Sequence, residues 1–435
     1  MRITLLIAGT RGDVQPAIAL GVGLIKAGYK VRLVTFEAFR PLAVEHGIDY
    51  MPIHLDIPAI LAQRGRPELF DSGAMAVRFI PEIINMFQLM LEQMARDFWE
   101  ASPGSDALIG GPASNWIAYA IAEKLGVPYI DSYVLPLAPT RLFPTVFWPK
   151  ASSPGSGKGL GGAFNLFTYR LVQGLTWVSI HSLVNRSRCV LEMPAIPLLG
   201  NANRPRQQAV FSLAGYSESV LLRPPDWPDN IHVTGYWFLD TPLYEPSPAL
   251  RAFLEDGAPP VYIGFGSMPS KNPAQLASLV CEALRLSRQR GVLFTGRGVL
   301  GQGMAQHSNV RDVFFLESAP HDWLFPRMAA VVHHGGSGTT AAGLRAGVPS
   351  VLVPVATDQL LWAQRIKDLG LGPDPILRPR LTAERLAAAI HRAATDPAIR
   401  ERACIMGEKI RTEDGVGNAV RIVDRFFQNC LHPQR

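Results

Sequence analysis

Twice along this chain a short, wholly apolar run breaks into a glycine-rich turn, a helical stripe and a second apolar run. Residues 3–8 (ITLLIA) lead into Gly9-Thr10-Arg11-Gly12-Asp13, then a stripe at Ala17, Leu20, Gly21 and Leu24, then Lys30–Phe36. That order is the βαβ unit of a parallel sheet, whose strands are buried on both faces and read as continuous apolar runs. Ala107–Gly110 and Tyr129–Tyr133 repeat it around a helix over 118–125, and Ile80, Ile83, Ile84, Phe87, Met90, Leu91 and Met94 form a helical stripe between. The alternation restarts at Val261: strands are predicted at 261–265, 292–295, 313–316, 329–333 and 350–354, with a helix over 274–290. The chain therefore reads as two α/β domains with doubly wound parallel sheets, residues 1–240 and 259–415. The proline-rich stretch 241–258 reads as a linker, and 416–435 as a terminal helix. Ligands of such folds sit at the carboxyl ends of the strands.

The 435 residues are 48% hydrophobic and 18% charged, which excludes a disordered chain, and Gly 39 and Pro 36 follow no period. A net charge of +6 without a basic run argues against nucleic acid. Four scattered cysteines (Cys189, Cys281, Cys404, Cys430) fit neither a zinc site nor a disulfide framework and point to a reducing compartment. The first apolar run is too short for a signal peptide, and no apolar window of about 18 residues exists to span a bilayer. A cytoplasmic protein is expected, with peripheral membrane contact left open. The segment 151–162 (ASSPGSGKGLGG) reads as a mobile loop.

Three motifs bear chemistry. In GTRGDVQP, Gly9 and Gly12 allow close backbone approach to a ligand, and Asp13 is the one carboxylate. Asp13 followed by Val-Gln-Pro also looks like a helix cap with Pro16 in the first turn, and spacing alone leaves cap and catalyst level. In 331–340 (VVHHGGSGTT) a buried strand meets three glycines, Ser337, Thr339 and a helix start. Backbone amides with those hydroxyls and His334 make a nest for phosphate oxygens; a plain tight turn would not need two histidines beside Ser and Thr. Asp358 and Gln359 open a further helix; they are ordinary capping residues or a grip for sugar hydroxyls. A GxGxxG at Gly296 is undermined by Gly301 and Gly303 inside the helix it requires. No Walker lysine, GxSxG elbow or Asp-x-Asp metal clamp occurs.

These segments, with GFGSM at 264–268, resemble the family-1 nucleotide-sugar glycosyltransferases of GT-B fold, above all the sterol glucosyltransferase-like branch and the bacterial enzymes that glycosylate natural products. The resemblance implies an acceptor-binding first domain, a donor-binding second domain and a final helix that crosses back to the first. It makes Asp13 the general base. Arg11 and Gly12 fall on the donor, Ser267, His334, Gly336, Ser337, Gly338 and Thr339 on its diphosphate, and Asp358 and Gln359 on its sugar. Ser318, Ala319 and Trp323 fall in the segment that forms the base pocket. Where plant relatives carry a histidine base, a stacking tryptophan and a ribose-binding glutamate, this chain has GDVQP, Ser318 and Ala342.

The implied reaction is inverting, metal-independent and cofactor-free: a hexose moves from a UDP- or dTDP-sugar to a hydroxyl of a hydrophobic aglycone such as a sterol, polyketide or flavonoid. Phe87, Met90 and Phe143 are candidates for the acceptor wall, although helical spacing makes most of the 80–94 stripe plain core. Two other classes compete: a non-catalytic nucleotide-sugar-binding protein and a GT-B epimerase. GDVQP beside an apolar stripe speaks against both.

Overall fold

A computed structural model describes residues 1–55, 80–148, 154–155, 157–199, 210–240, 244–266, 273–296, 312–355 and 358–431. The first domain holds β1 (Arg2–Leu6), β2 (Lys30–Phe36), β3 (Asp49–Ile53), β4 (Ala107–Gly110), β5 (Tyr129–Tyr133), β6 (Phe211–Ala214) and β7 (Ile231–Val233). They lie in the order β3-β2-β1-β4-β5-β6-β7, every neighbouring pair parallel, with Leu5 opposite Leu33 on one side and Ile109 on the other. Parallel neighbours require crossovers, here α1 (Arg11–Lys26), α2 (Arg40–Glu45), α3 (Ile80–Ala101), α4 (Asn115–Leu125) and α5 (Gly159–Val190).

The second domain holds α6 (Pro248–Glu255), β8 (Val261–Gly264), α7 (Pro273–Ser287), β9 (Gly291–Phe294), β10 (Val313–Leu316), α8 (His321–Leu324), β11 (Ala330–His333), α9 (Ser337–Ala346), β12 (Ser350–Leu352), α10 (Asp358–Asp368), α11 (Ala383–Thr395) and α12 (Pro397–Thr412). Its parallel sheet runs β10-β9-β8-β11-β12. In each sheet the winding reverses beside the first strand, between β1 and β4 and between β8 and β11. The helices leave in opposite directions there, and the strand ends open into a crevice. Both glycine-rich turns fall at these two places.

Three expectations need correction. The stretch 241–258 is not all linker, because α6 lies within it. Ser247 accepts the amide of Leu250 at 3.2 Å, Pro248 takes the first helical position, and Leu250 is buried against Tyr262 and Phe325. The loop 151–162 ends early, since α5 begins at Gly159. Pro16 lies inside α1 rather than in its first turn, because the helix begins at Arg11.

The terminal helix, α13 (Gly415–Leu431), packs on the first domain: Ala419, Val420, Val423 and Phe427 share one core with Ile3, Leu5, Leu20 and Leu24. Each such side chain contributes about 1.5–3 kcal/mol by leaving water. Tyr29 donates to Asp424 at 2.6 Å, and a Cβ on Gly23 of α1 would lie 2.3 Å from Val416. Where α13 starts, the two crossings between domains touch: a Cβ on Gly415 would lie 2.2 Å from the carbonyl of Tyr236. Among the described residues no helix is long and apolar enough to cross a membrane.

Candidate functional site

Asp13 stands one turn into α1, just beyond the end of β1. Gly9 has φ +146°, and a Cβ there would lie 2.4 Å from Asp13 Oδ2, so only glycine lets the carboxylate settle over this turn. Thr10 is the N-cap. Its hydroxyl accepts from the Gly12 amide at 3.3 Å, while Asp13 Oδ2 accepts from the Thr10 amide at 2.9 Å and the Thr10 hydroxyl at 3.2 Å. Asp13 is thus the third helical residue of a capping box rather than the cap itself. Both Thr10 bonds fall on Oδ2 and neither on Oδ1, and Asp13 lines a small cleft with Ile7, Gly111, Ser132, Tyr133, Val134 and Trp237. Burial pushes the carboxyl above its usual range and outweighs the lowering by the two Thr10 bonds. Glu384, at the start of α11, makes comparable backbone and Thr382 bonds without that burial and is held below its usual range.

The second glycine-rich turn lies at the end of β11. His333 is fully buried; Nδ1 accepts the Gly335 amide at 3.1 Å, which puts the ring proton on Nε2, where no partner meets it among the described residues. His334 sits in a slot between two glycines: a Cβ on Gly336 would lie 2.6 Å from Nε2, and one on Gly266 would lie 2.9 Å from Cε1. Burial lowers the pKa of both imidazoles. A neutral ring keeps one N–H to donate, and His334 Nδ1 has no partner among the described residues. Helix α9 starts at N-cap Gly336 without a side-chain cap, and nothing lies within 4 Å of where a Gly338 Cβ would project. Uncapped first-turn amides beside a neutral donor are suited to an anion. Gly335, with φ +94°, lets the start of α10 come close: its Cβ would lie 3.1 Å from the Gln359 carbonyl. Asp358 and Gln359 open α10 at that approach, and Gln359 Oε1 accepts the Val355 amide at 2.9 Å.

The two turns face one another. Ser337 Oγ donates to the carbonyl of Val134 at 3.1 Å, which joins the nest to the Asp13 cleft wall. The Arg11 guanidinium, with burial the larger cause, helps push His321 of α8 down to about 4. His321 stacks on Phe325 at 4.3 Å. Trp323 meets the edge of Tyr244 at 5.0 Å and the Arg327 guanidinium at 4.3 Å, and Tyr244 donates to the Ser318 carbonyl at 3.4 Å. Ala319 packs on the core beneath.

Of the residues singled out in the sequence, the 334–339 turn is tied to the wall beside Asp13 through Ser337, and Ser318 and Trp323 gather around Tyr244. Ser267 and the Phe87 side chain lie outside the described residues. Met90 is half-buried, while Phe143 is fully buried among Tyr133, Val146 and Tyr216, a core position. The sequence reading missed Tyr133, Val134, Trp237, Tyr244 and His321. Tyr133 and Val134 were recoverable as the carboxyl end of a predicted strand, where ligands of such folds sit; Trp237 follows β7 with no local signal. Among the described residues no group of three His, Cys, Asp or Glu could hold a metal ion.

Comparison with known proteins bears on the fold and on both halves of the chain. Residues 3–144 fit the glycosyltransferase family 28 N-terminal domain, and residues 303–418 the erythromycin biosynthesis protein CIII-like C-terminal domain. The sterol 3-beta-glucosyltransferase of Yarrowia lipolytica is 36% identical over 98% of this chain, and that of Emericella nidulans 35% over 98%. The chain spans only 29% and 30% of those proteins. Two solved structures cover 98% of the chain: the calicheamicin glycosyltransferase CalG4 (TM-score 0.68, 18% identity, 98% of its own length) and the glycosyltransferase VinC in complex with dTDP (0.65, 19%, 99%). The likeness at that identity is one of fold. With two parallel-sheet domains facing across a crevice, the chain has the fold of the GT-B glycosyltransferases, its first half matching the family-28 N-terminal domain and its second the erythromycin-CIII-like C-terminal domain.

Proposed function

We propose that this glycosyltransferase moves a hexose from a UDP- or dTDP-sugar to a hydroxyl of a hydrophobic aglycone of sterol or polyketide type, with inversion and without a metal ion. The observation that carries the reading is the apposition, across one crevice, of a carboxylate with one uncommitted oxygen and an uncapped helix start flanked by a neutral imidazole. The acceptor O–H donates to Asp13 Oδ1 while its oxygen attacks the anomeric carbon from the face opposite the diphosphate. As the new C–O bond forms, the proton passes to Asp13 and the bond from the sugar to the diphosphate breaks. A carboxyl raised by desolvation is a stronger base than an exposed one, which eases transfer from an alcohol.

Charge growing on the departing diphosphate meets the α9 amides, that of Ser337 among them, with His334 and the Thr339 hydroxyl; one such donor is typically worth about 2.7–4 kcal/mol in the transition state. Asp358 and Gln359 hold sugar hydroxyls, and Ser318, Ala319 and Trp323 lie beside the base. The sterol class is supported by the names of the sequence relatives, and dTDP by the VinC complex. The test is mass spectrometry of the chain with UDP-glucose or dTDP-glucose and a panel of sterols and polyketides, followed by NMR of the anomeric proton. A β-glycoside from an α-linked donor is expected. An α-glycoside would refute inversion, and donor binding without any product would favour the non-catalytic reading.

A further inference from the structure

The long helix α5 buries Tyr169, Leu183 and Val184 on one side and carries a second apolar stripe outward. Leu160, Phe164, Phe167, Leu171, Leu175 and Val178 recur at helical spacing, and all are exposed, Leu160 by 91%, Leu175 by 60% and Val178 by 65%. Its inner side carries much of the polar and aromatic anchoring. Thr168 Oγ1 accepts the Thr145 amide at 3.1 Å, Trp177 stacks on Trp116 at 5.2 Å and donates to the Leu198 carbonyl, and His181 pairs with the Ile196 carbonyl. An amphipathic helix of a soluble domain turns its apolar stripe to the core; this one is held firmly with a second stripe outward. The ridge spans Leu160 to Val178, 19 residues and about 27 Å. Contiguous apolar surface on that scale marks a binding face.

Charge tells what covers it. Residues 132–191 contain six Lys/Arg and no Asp or Glu. Arg186 and Arg188 pair with Glu92 and Glu123; Arg141, Lys158 and Arg170 are among the exposed residues beside the ridge. Two copies packed ridge to ridge about a twofold axis would set basic residues against basic residues, with no acid on the helix to answer them. An anionic interface suits both features. The ridge also adjoins the cleft: exposed Phe147, next to Trp148 that meets Phe164 edge-on at 5.6 Å, lies one residue from Val146 in the core that holds Tyr133.

We propose that the outward face of α5 docks on a phospholipid bilayer bearing anionic headgroups, with the helix lying in the headgroup plane. The apolar stripe enters the acyl boundary, and Arg141, Lys158 and Arg170 meet lipid phosphates. This surface does not depend on the donor or acceptor named above, so its test uses neither.

The purified full chain is mixed with vesicles of phosphatidylcholine alone or of phosphatidylcholine and phosphatidylglycerol in equal parts, and sedimented at low and high salt. Wild type should sediment with the anionic vesicles, and less so as salt rises. Phe164→Glu, Leu171→Glu and Leu175→Glu together should abolish sedimentation with unchanged circular dichroism, and Arg170→Glu should weaken it about fivefold or more, each basic residue near a charged surface being worth about that factor. Leu160→Ser serves as a milder variant should the triple change fold poorly. Wild type that ignores anionic vesicles, or ridge variants that bind as wild type does, would overturn the proposal. So would a dimer in size-exclusion chromatography that the triple change converts to monomer, because the ridge would then belong to a second copy.

Discussion

Asp13→Asn separates the two duties of one side chain. Asparagine keeps an oxygen for the Thr10 amide that Asp13 Oδ2 accepts at 2.9 Å, so the capping box survives. What disappears is the charge, and that charge is held at a penalty: burial raises the pKa of Asp13 above 3.8 despite two hydrogen bonds. The sign follows from linkage. A folded pKa above the unfolded one means the folded state binds the proton more tightly, so this carboxyl favours folding below pH 3.8 and less so as pH rises through its folded pKa. At neutral pH the asparagine variant should therefore match or exceed wild type in stability, within about 1 kcal/mol. For domains of this size that is a Tm change within about 2–4 °C, and the difference between the proteins should shrink on acidification. Catalysis should move the other way. Loss of a general base typically slows transfer about 10²–10⁴-fold, or about 2.7–5.4 kcal/mol of barrier. Donor affinity should hold, since Asp13 faces the acceptor. The assay is initial transfer rate to an aliphatic alcohol at saturating donor, with calorimetry for the donor and melting curves at several pH values. A phenol is unsuitable because it can ionise unaided. Near wild-type transfer by Asp13→Asn would show that Asp13 only caps, and the mechanism would fall.

Four further outcomes follow. In wild type the acid limb of kcat/KM should lie above the ordinary aspartate range, as the raised pKa of Asp13 requires, and the limb should vanish in Asp13→Asn; a limb at the ordinary value would contradict the desolvated base. His334→Ala should weaken nucleotide-sugar binding by about 1.5–3 kcal/mol, and Gly336→Ala should do likewise by driving a Cβ into the space 2.6 Å from Nε2; calorimetry that finds Gly336→Ala harmless would show that the ring's seat is irrelevant. Asp358→Ala should weaken the nucleotide sugar but spare the free nucleoside diphosphate, and equal losses would remove Asp358 from the sugar. Transfer should persist in excess EDTA; loss with chelator and recovery with Mg²⁺ would refute neutralisation by amides and His334 alone.

Much of this was legible because parallel strands are buried on both faces and announce themselves as apolar runs, while the glycines mark where the backbone must bend. Gly9, Gly335 and Gly336 are examples: each is required by a close contact that any side chain would break. The sequence reading failed where a local signal has two meanings. Proline after serine at 247–248 looked like linker and was a helix start. Glycines at 159–162 looked mobile and were the first turn of α5, a helix stabilised by tertiary contacts rather than propensity. Nothing local could predict that Ser337 would reach a carbonyl 203 positions away, or that Tyr244 would seat against Trp323.

The return of α13 has a consequence for recombining such enzymes. Domain exchange is usually planned along the sequence, with one cut between the halves. Here the last helix fills the core of the first half, with Val416 seated on Gly23 and Tyr29 bonded to Asp424. A hybrid with a single junction would pair one parent's α13 with the other parent's α1 and leave a mismatched seam. Exchange of the donor half needs two junctions, placed on either side of the contact between Gly415 and Tyr236, so that α13 travels with the acceptor half.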